Sequence, residues 1–464
     1  MIKSLQLYLI LLVYFLLGLL SIFYFNGTGD VGDSIMHYLY AKSAPLHPHL
    51  YFDHWAKPLF VLLASPFAQF GFNGIKLFNL IATTLTLFFI YRSAEMLQMK
   101  NPLLAVLLAM FSPLYYVLTF SGLTEPLFAL FVAVALYLSL KQHQLSAAVV
   151  ISFLPYVRSE GLIIAGVYVL YFFIIKNRKA ILFLLMGSVL YGVAGYFVHG
   201  DFFWVFSKIP YATLSSVYGK GELFHFVSEL FFVVGAPVYI LLCIGFVVLA
   251  FRFFTTKLLP EMRLLVFLGF SAFFVAHSLF WYLGIFNSMG LKRVLLGIMP
   301  YIALIALYGF NFISLEVPIR RTVWSLFISA AFIIYLIVFP FLPNPAAISP
   351  ERDLLLTNEQ QLAQNVCQHI KKENLVYPIV YNHFYLSEAL DIDHFNHSLR
   401  VELDSNWIDD LKPGTLIVWE SLYALRMSGI TKQGLEKHPQ LIKRFECSGP
   451  VQGFEMVWAL FEKK

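Results

Sequence analysis

Residues 5–25 read LQLYLILLVYFLLGLLSIFYF and contain no charged side chain. A helix of this length can cross the ~30 Å hydrocarbon core of a membrane. The run is too long for the apolar core of a signal peptide, and no small-residue cleavage site follows it. We therefore expect it to be retained as a first transmembrane helix. The protein is then anchored in a membrane.

Apolar segments of the same character recur up to residue 342. They lie at about 75–95, 102–120, 123–140, 145–157, 160–175, 180–198, 227–251, 264–285, 291–312 and 322–342. The segment at 58–71 is shorter and contains Pro58 and Pro66, so we expect it to be interfacial or re-entrant. The chain is 59% hydrophobic and 13% charged, which excludes a soluble globular protein. We predict an all-α polytopic membrane domain over residues 1–342, with about 11 transmembrane helices.

Charge divides the connections between these segments into two sets. One set carries twelve basic and three acidic residues, whereas the other carries eight of each sign. Basic connections stay in the cytoplasm, so the first set is predicted to be cytoplasmic. The N-terminus is then cytoplasmic, and after 11 crossings the C-terminal region is extracytoplasmic, as expected for a protein of the bacterial inner membrane. The net charge of +5 arises from the basic residues of the predicted cytoplasmic connections. It therefore does not indicate a nucleic-acid partner, and none is expected.

The composition changes after Pro343-Asn344-Pro345, where acidic residues begin to outnumber basic ones. We predict a small soluble α/β domain over residues 343–464. Its elements are a polar helix at about 351–373, strands at about 375–381, 415–419 and 454–461, and a helix at about 431–439. The region lacks the glycine-rich patterns of nucleotide-binding loops. Cys367 and Cys447 both fall here and are a candidate disulfide pair.

Polar groups concentrate on the predicted outer face. The first outer loop, residues 26–57, places acids, imidazoles and a lysine directly after the first helix: Asp30, Asp33, His37, Asp53, His54 and Lys57. Ionisable groups at membrane depth cost ~3 kcal/mol or more, so such groups usually face a cavity or a partner. A solvated connector is the simpler reading of the loop. Its position beside the apolar segment 58–71 favours a functional site.

Three further outer positions carry charge at helix ends. Glu125 starts an apolar segment, where the helix dipole alone is sufficient to favour an acid. Arg158 and Glu160 interrupt two short segments and are a candidate mutual ion pair. Lys292 and Arg293 are adjacent cations where positive charge is otherwise balanced, which favours an anionic ligand such as a phosphate.

These segments, in this order, resemble the GT-C superfamily of polytopic glycosyltransferases, which includes protein mannosyltransferases and lipid A aminoarabinose transferases. The resemblance spans residues 1–342. It is carried by GDSIMHY at 32–38, DHWAKPL at 53–59, TEP at 124–126, RSEG at 158–161 and KRV at 292–294. The sequence departs from the pattern at Ser34, where a second acid is common, and at Leu59, where a second proline is common. Nothing in the resemblance covers the C-terminal region.

The resemblance implies a sugar donor on a polyprenyl phosphate and a single inverting displacement at the outer face. Such a reaction needs a base for the acceptor hydroxyl and cations for the departing phosphate. The first-loop match implies Asp33 as the general base, with Asp30 in reserve, and Asp53, His54 and His37 around the same pocket. The implied phosphate ligands are Lys57, Arg158, Lys292 and Arg293, with Glu125 and Glu160 orienting them or binding sugar hydroxyls. The acceptor is expected to be a glycan, a lipid or a protein.

Other classes remain open at this stage. The histidines and aspartates of the first loop fit no standard zinc or iron spacing, so no cofactor is expected, with a divalent metal as the alternative. A lipid or glycolipid transporter would place polar groups at both faces. A non-catalytic assembly protein of the cell envelope would leave Asp33 and the Lys292-Arg293 pair unexplained. A phosphoryl or acyl transferase is also compatible with the residues.

Overall fold

The computed structural model describes residues 2–210, 215–216, 218–254, 258–316, 323–370, 376–404 and 408–464. The region up to residue 342 is helical. Its α-helices are α1 Ile2–Tyr24, α2 Asp33–Ser43, α3 Pro58–Ala68, α4 Phe72–Met96, α5 Pro102–Met110, α6 Pro113–Leu118, α7 Glu125–Leu140, α8 Gln144–Phe153, α9 Gly161–Ile174, α10 Arg178–Phe183, α11 Met186–His199, α12 Trp204–Ser207, α13 His225–Arg252, α14 Leu268–Leu283, α15 Met299–Glu316 and α16 Val323–Val338.

Shorter helical turns complete this region. They are 3-10 helices at Pro48–Phe52, Leu154–Tyr156, Lys292–Ile298 and Phe339–Phe341, and a π-helix at Glu261–Phe267. Proline starts many of these elements, because its missing N–H is not needed in a first helical turn. Pro113 shows the effect in the segment predicted at 102–120, which is divided there into α5 and α6.

Six helical stretches within the described residues are long and apolar enough to cross a membrane: Leu5–Tyr24, Phe72–Met96, Arg178–His199, His225–Arg252, Glu261–Leu283 and Lys292–Ser314. Several other predicted crossings are apolar helices of 10–17 residues. The chain is an integral membrane protein, and the count of 11 crossings stays a prediction. The last predicted crossing begins at residue 322, which lies outside the described residues. The same holds for three of the twelve basic residues in the predicted cytoplasmic connections, Lys257, Arg320 and Arg321.

The C-terminal region folds around a mixed five-stranded sheet. Its elements are α17 Pro350–Asp353, α18 Asn358–Gln368, β1 Val376–Val380, α19 Tyr385–Ala389, β2 Arg400–Val401, β3 Thr415–Glu420, α20 Tyr423–Ser428, α21 Lys432–Lys437, β4 Leu441–Val451 and β5 Phe454–Lys463. The strand order is β2-β1-β3-β5-β4. Strand β1 is parallel to β2 and β3, and β5 is antiparallel to β3 and β4.

Three sequence expectations for this region need correction. The helix predicted at 351–373 is interrupted between α17 and α18, because Thr357 accepts a hydrogen bond from the Gln360 amide and starts a new helix with a capping box. Strand β4 was not predicted. Residues 371–373 and 375 of the predicted elements lie outside the described residues. The candidate disulfide between Cys367 and Cys447 is not formed in the structure.

Helix α4 holds two loops in place through buried polar side chains. Lys76 is buried and donates to the Phe25 carbonyl at 2.8 Å, just beyond the end of α1. One turn later, Asn79 donates to the carbonyls of Ser121 (2.7 Å) and Leu123 (2.9 Å), just before α7. These bonds satisfy backbone acceptors that no helix satisfies. They hold the two loops that carry the candidate site beside one helix.

Candidate functional site

The first acidic residues of the site are presented by the start of α2. Asp30 accepts hydrogen bonds through Oδ1 from the amides of Gly32 (2.7 Å) and Ser34 (3.4 Å), which forms an Asx turn leading into the helix. Asp33 is the first residue of α2. Both carboxylates therefore lie at a helix N-terminus, where negative charge is favoured.

Arg293 brings these acids together with a third from another part of the chain. Its Nη1 lies 2.7 Å from Oδ2 of Asp30, and its Nη2 contacts Oδ2 of Asp33. Its Nε lies 3.6 Å from Oε1 of Glu125. Arg293 thus binds two aspartates that precede it by 263 and 260 positions in the sequence.

Glu125 also holds a second arginine. Its side chain is fully buried, and Oε1 lies 2.7 Å from Nη1 of Arg158. The same guanidinium donates to Oγ1 of Thr124 at 3.1 Å and to Oε1 of Glu160 at 2.9 Å. The expected Arg158–Glu160 ion pair is present, and it forms part of a larger network in which Glu125 joins Arg158 to Arg293.

This network borders a cavity of about 380 Å³. Its charged lining consists of Asp33, Lys57, Arg158, Glu160 and Arg293, and its other lining residues are His37, Trp55, Ser159, Leu162, Ile163, Ile209, Tyr218, Phe226, His277, Phe280, Phe286, Asn287, Ser288, Met289, Leu291 and Val294. The charged groups come from the first loop, the α8–α9 connection and the Lys292–Ile298 helix. The aromatic and aliphatic groups come mainly from α9, α13, α14 and the segment 286–294. The cavity thus combines a charged wall with an apolar one.

Two lining residues of the first loop have strongly displaced pKa values. Burial lowers the pKa of Lys57 to about 8, although Glu160, Asp33 and Asp53 oppose the shift. Burial, with help from Lys57, Arg158 and Arg293, lowers the pKa of His37 to about 3. His37 stacks on Trp55 with ring centroids 5.1 Å apart. At neutral pH, His37 is therefore neutral, whereas Lys57 is a cation close to its titration point.

Asp30 and Glu125 belong to the charged network without lining the cavity, and three further candidate residues belong to neither. Lys292 points to Glu229 (3.9 Å) and over the Phe232 ring, whose centroid is 5.0 Å from Nζ. Asp53 accepts from the Ala56 amide at 2.9 Å, which stabilises the turn before Lys57. His54 hydrogen-bonds the Val205 carbonyl at 3.0 Å and lines a separate, much smaller cavity.

Residues outside the sequence-based set also contribute to the lining. His277 lies in the middle of α14, is buried and lines the cavity, and its Nε2 has no hydrogen-bond partner in the described part of the chain. An ionisable residue inside an apolar segment is a signal that could have identified it. Trp55, within the segment 53–59, also lines the cavity. Only its charged and imidazole neighbours were predicted from the sequence as site residues.

The C-terminal domain packs over the first loop beside the same acids. Gln360 donates to Oγ1 of Thr28 at 2.8 Å, two residues before Asp30. The hydroxyl of Tyr423, the first residue of α20, lies 3.6 Å from the position that a Cβ on Gly32 would occupy. Asp30 and Asp33 contribute to raising the pKa of Tyr423, behind burial and Glu359. The domain therefore borders the acidic side of the site.

The described residues contain no group of three or more His, Cys, Asp or Glu side chains placed to hold a metal ion. The available chemistry is that of carboxylates, cations and neutral imidazoles around a partly apolar cavity. Such a cavity suits a ligand with an anionic group and a long apolar part.

The helical region and the C-terminal sheet domain together have the fold of solved ArnT structures, and the fold expected from the resemblance is confirmed. Two similar solved structures are those of ArnT from Cupriavidus metallidurans. The structure bound to undecaprenyl phosphate has a TM-score of 0.62 and 11% sequence identity, over 99% of this chain and 98% of that one. The apo structure has a TM-score of 0.63 and 11% identity, over 99% and 97% of the two chains. No protein-family profile and no curated protein sequence matches the chain.

Proposed function

We propose that this protein is a membrane glycosyltransferase that moves a sugar from a polyprenyl-phosphate-linked donor to an acceptor hydroxyl on the outer face of the membrane. One observation carries the proposal. In an ArnT-like fold, a single cavity joins an exposed carboxylate, Asp33, to the cations Lys57, Arg158 and Arg293 and to an apolar wall. The ArnT structure of this fold was crystallised with undecaprenyl phosphate, the lipid part of such a donor.

The proposed roles follow from the charge and burial of each residue. Lys57, Arg158 and Arg293 stabilise the departing phosphate, and their separate directions spread the negative charge over several donors. The apolar wall accepts the first units of the polyprenyl chain. Asp33 takes the proton of the acceptor hydroxyl, and its side chain is the most exposed of the acids paired to Arg293. Glu125 and Glu160 hold Arg158 in place.

The location of the reaction completes the proposal. With the N-terminus in the cytoplasm of a bacterium, the first loop and the C-terminal domain face the outer side of the inner membrane. The acceptor is a glycan, lipid or protein at that side. The charged groups gather at the loops of one face, and no observation favours a transport pathway or a purely structural role.

Binding of undecaprenyl phosphate tests the donor assignment. We expect Arg293→Gln to weaken binding to the purified protein in nanodiscs by about 10- to 100-fold, because removing one partner of a charged hydrogen bond costs ~2–3 kcal/mol. Lys292→Gln is the matched control, since it removes the adjacent cation, which lies outside the cavity. Equal losses from the two substitutions would contradict the assignment.

Sugar transfer tests the base. Asp33→Asn is expected to retain undecaprenyl phosphate binding and to lose transfer by about 100-fold or more, because a general base contributes ~10²–10⁴-fold. The assay supplies undecaprenyl-phosphate-linked sugars with an envelope extract and follows the sugar label. A folded Asp33→Asn protein with full transfer activity would remove Asp33 from this role.

A further inference from the structure

Arg293 is surrounded by more negative charge than a phosphate-binding arginine requires. Asp30, Asp33 and Glu125 all approach its guanidinium. With Glu160, the network contains four carboxylates against the three cations Lys57, Arg158 and Arg293, and is therefore acidic before any ligand arrives. A phosphate that entered without any other change would add negative charge to an already negative site.

The two aspartates are held in different ways. Asp30 is fixed from behind, because its Oδ1 accepts the amides of Gly32 and Ser34 while Oδ2 contacts Arg293. For Asp33, the contact with Arg293 is the one hydrogen bond of the carboxylate within the described part of the chain. Asp33 is also more exposed, at 46% of its side chain against 28% for Asp30. Asp33 lines the cavity and Asp30 does not.

We propose that Arg293 exchanges Asp33 for the lipid phosphate, so that binding of the donor itself releases the base. This inference rests on the proposed function and adds to it the way the site is switched on. Asp30 stays bound to Arg293 throughout and acts as a positioning residue. Nη2 of Arg293, which contacts Asp33 in the structure, then turns its hydrogen bond to a phosphate oxygen.

The exchange has a chemical purpose. A carboxylate bound to a guanidinium is a poor proton acceptor, because protonation would break the ion pair. The empty enzyme therefore holds its base inactive, so that neither water nor acceptor is activated before the sugar is in place. Donor binding frees the carboxylate beside the cavity without any covalent step. The donor must then bind before the acceptor reacts.

The sign of a change in affinity tests the proposal. Asp33 competes with the phosphate, so Asp33→Asn is expected to bind undecaprenyl phosphate about tenfold tighter than the natural protein. Asp30 supports Arg293 and makes the same kind of contact, so the matched variant Asp30→Asn is expected to bind about tenfold weaker. The measurement uses the full chain in nanodiscs, and Asp33→Ser repeats the test if Asp33→Asn does not fold.

The outcomes separate this inference from the proposed function. Weaker binding by Asp33→Asn and Asp33→Ser, to the same extent as Asp30→Asn, would show that both aspartates merely support Arg293 and would overturn the exchange. The proposed function would survive that result. If undecaprenyl phosphate does not bind the natural protein, or if Arg293→Gln leaves its affinity unchanged, the proposed function fails and the exchange fails with it.

Discussion

Lys292 and Arg293 show what a sequence can and cannot predict about single residues. The two adjacent cations were predicted to bind an anionic ligand, and Arg293 lies at the centre of the charged network. Lys292 points elsewhere, because the segment is a 3-10 helix with three residues per turn. Neighbouring side chains then diverge by about a third of a turn. The residue types were visible in the sequence, but their directions depended on a local geometry that it does not reveal.

Lys57 gives a prediction at the residue scale. Because burial lowers its pKa to about 8, the cation is lost at a much lower pH than for an exposed lysine. We expect affinity for undecaprenyl phosphate to fall severalfold between pH 7.5 and 9.5, since a neutral amine no longer attracts the phosphate. Equilibrium binding across this range measures it.

Lys57→Arg is the matched variant for this effect. The guanidinium stays charged throughout the range, so the alkaline loss of affinity is expected to disappear. Arg158, Glu160, Asp33 and Asp53 face Lys57, and His37 and His54 also lie near it. Carboxylates, guanidinium groups and imidazoles ordinarily titrate outside the range from pH 7.5 to 9.5. An unchanged alkaline loss in Lys57→Arg would therefore assign it to another group.

At the scale of elements, apolar periodicity predicted the helices well. Each predicted apolar segment coincides with helical structure, because a chain in lipid must satisfy its backbone polar groups internally. Strand β4, LIKRFECSGPV, was missed because it lies at the edge of the sheet and carries Lys443, Arg444 and Glu446. Charges at an edge protect it from pairing with other chains, but they also hide the usual strand pattern.

A substitution of Asn79 in α4 is predicted to lower both stability and sugar transfer. Asn79→Leu keeps the side-chain size and removes both donors, so the carbonyls of Ser121 and Leu123 are left unsatisfied at ~1–3 kcal/mol each. We expect the midpoint of thermal unfolding in detergent to fall by several degrees. Sugar transfer should fall as well, because the loop before Glu125 loses its support.

Thr84→Val on the same helix is the control for Asn79. Thr84 donates only to the Leu80 carbonyl four residues earlier, which already belongs to the helix. Its loss should leave both the thermal midpoint and the transfer rate close to those of the natural protein. Similar losses from the two variants would mean that α4 is merely sensitive to substitution.

At the scale of the whole molecule, the C-terminal domain is joined to the first loop by specific contacts. Asp393 accepts from Ser43 Oγ at 2.8 Å and contacts His47 Nε2 at 2.7 Å. Lys42 lies 2.9 Å from Asp391, and the Tyr40 ring packs on Phe395. The sequence predicted a small α/β domain here but not the surface against which it packs. That packing depends on contacts between residues about 350 positions apart.

Two neighbouring aspartates test this docking. Asp393→Ala leaves the partly buried donors of Ser43 and His47 without their acceptor, at a cost of ~1–3 kcal/mol. We expect hydrogen exchange in residues 40–57 to rise and the thermal midpoint to fall. Asp391→Ala removes an exposed ion pair worth ~0–1 kcal/mol and should change little. No change in exchange for Asp393→Ala would contradict a fixed interface.

The distance along the chain between Arg293 and its aspartates also has a consequence during synthesis. Asp30 and Asp33 emerge 263 and 260 residues before the arginine that neutralises them. Throughout that interval, the nascent protein carries its acids without their shared counter-charge. Assembly of the charged network is therefore a late event in biogenesis. If Arg293 binds the donor phosphate as proposed, a truncated chain that ends before residue 293 cannot bind the donor.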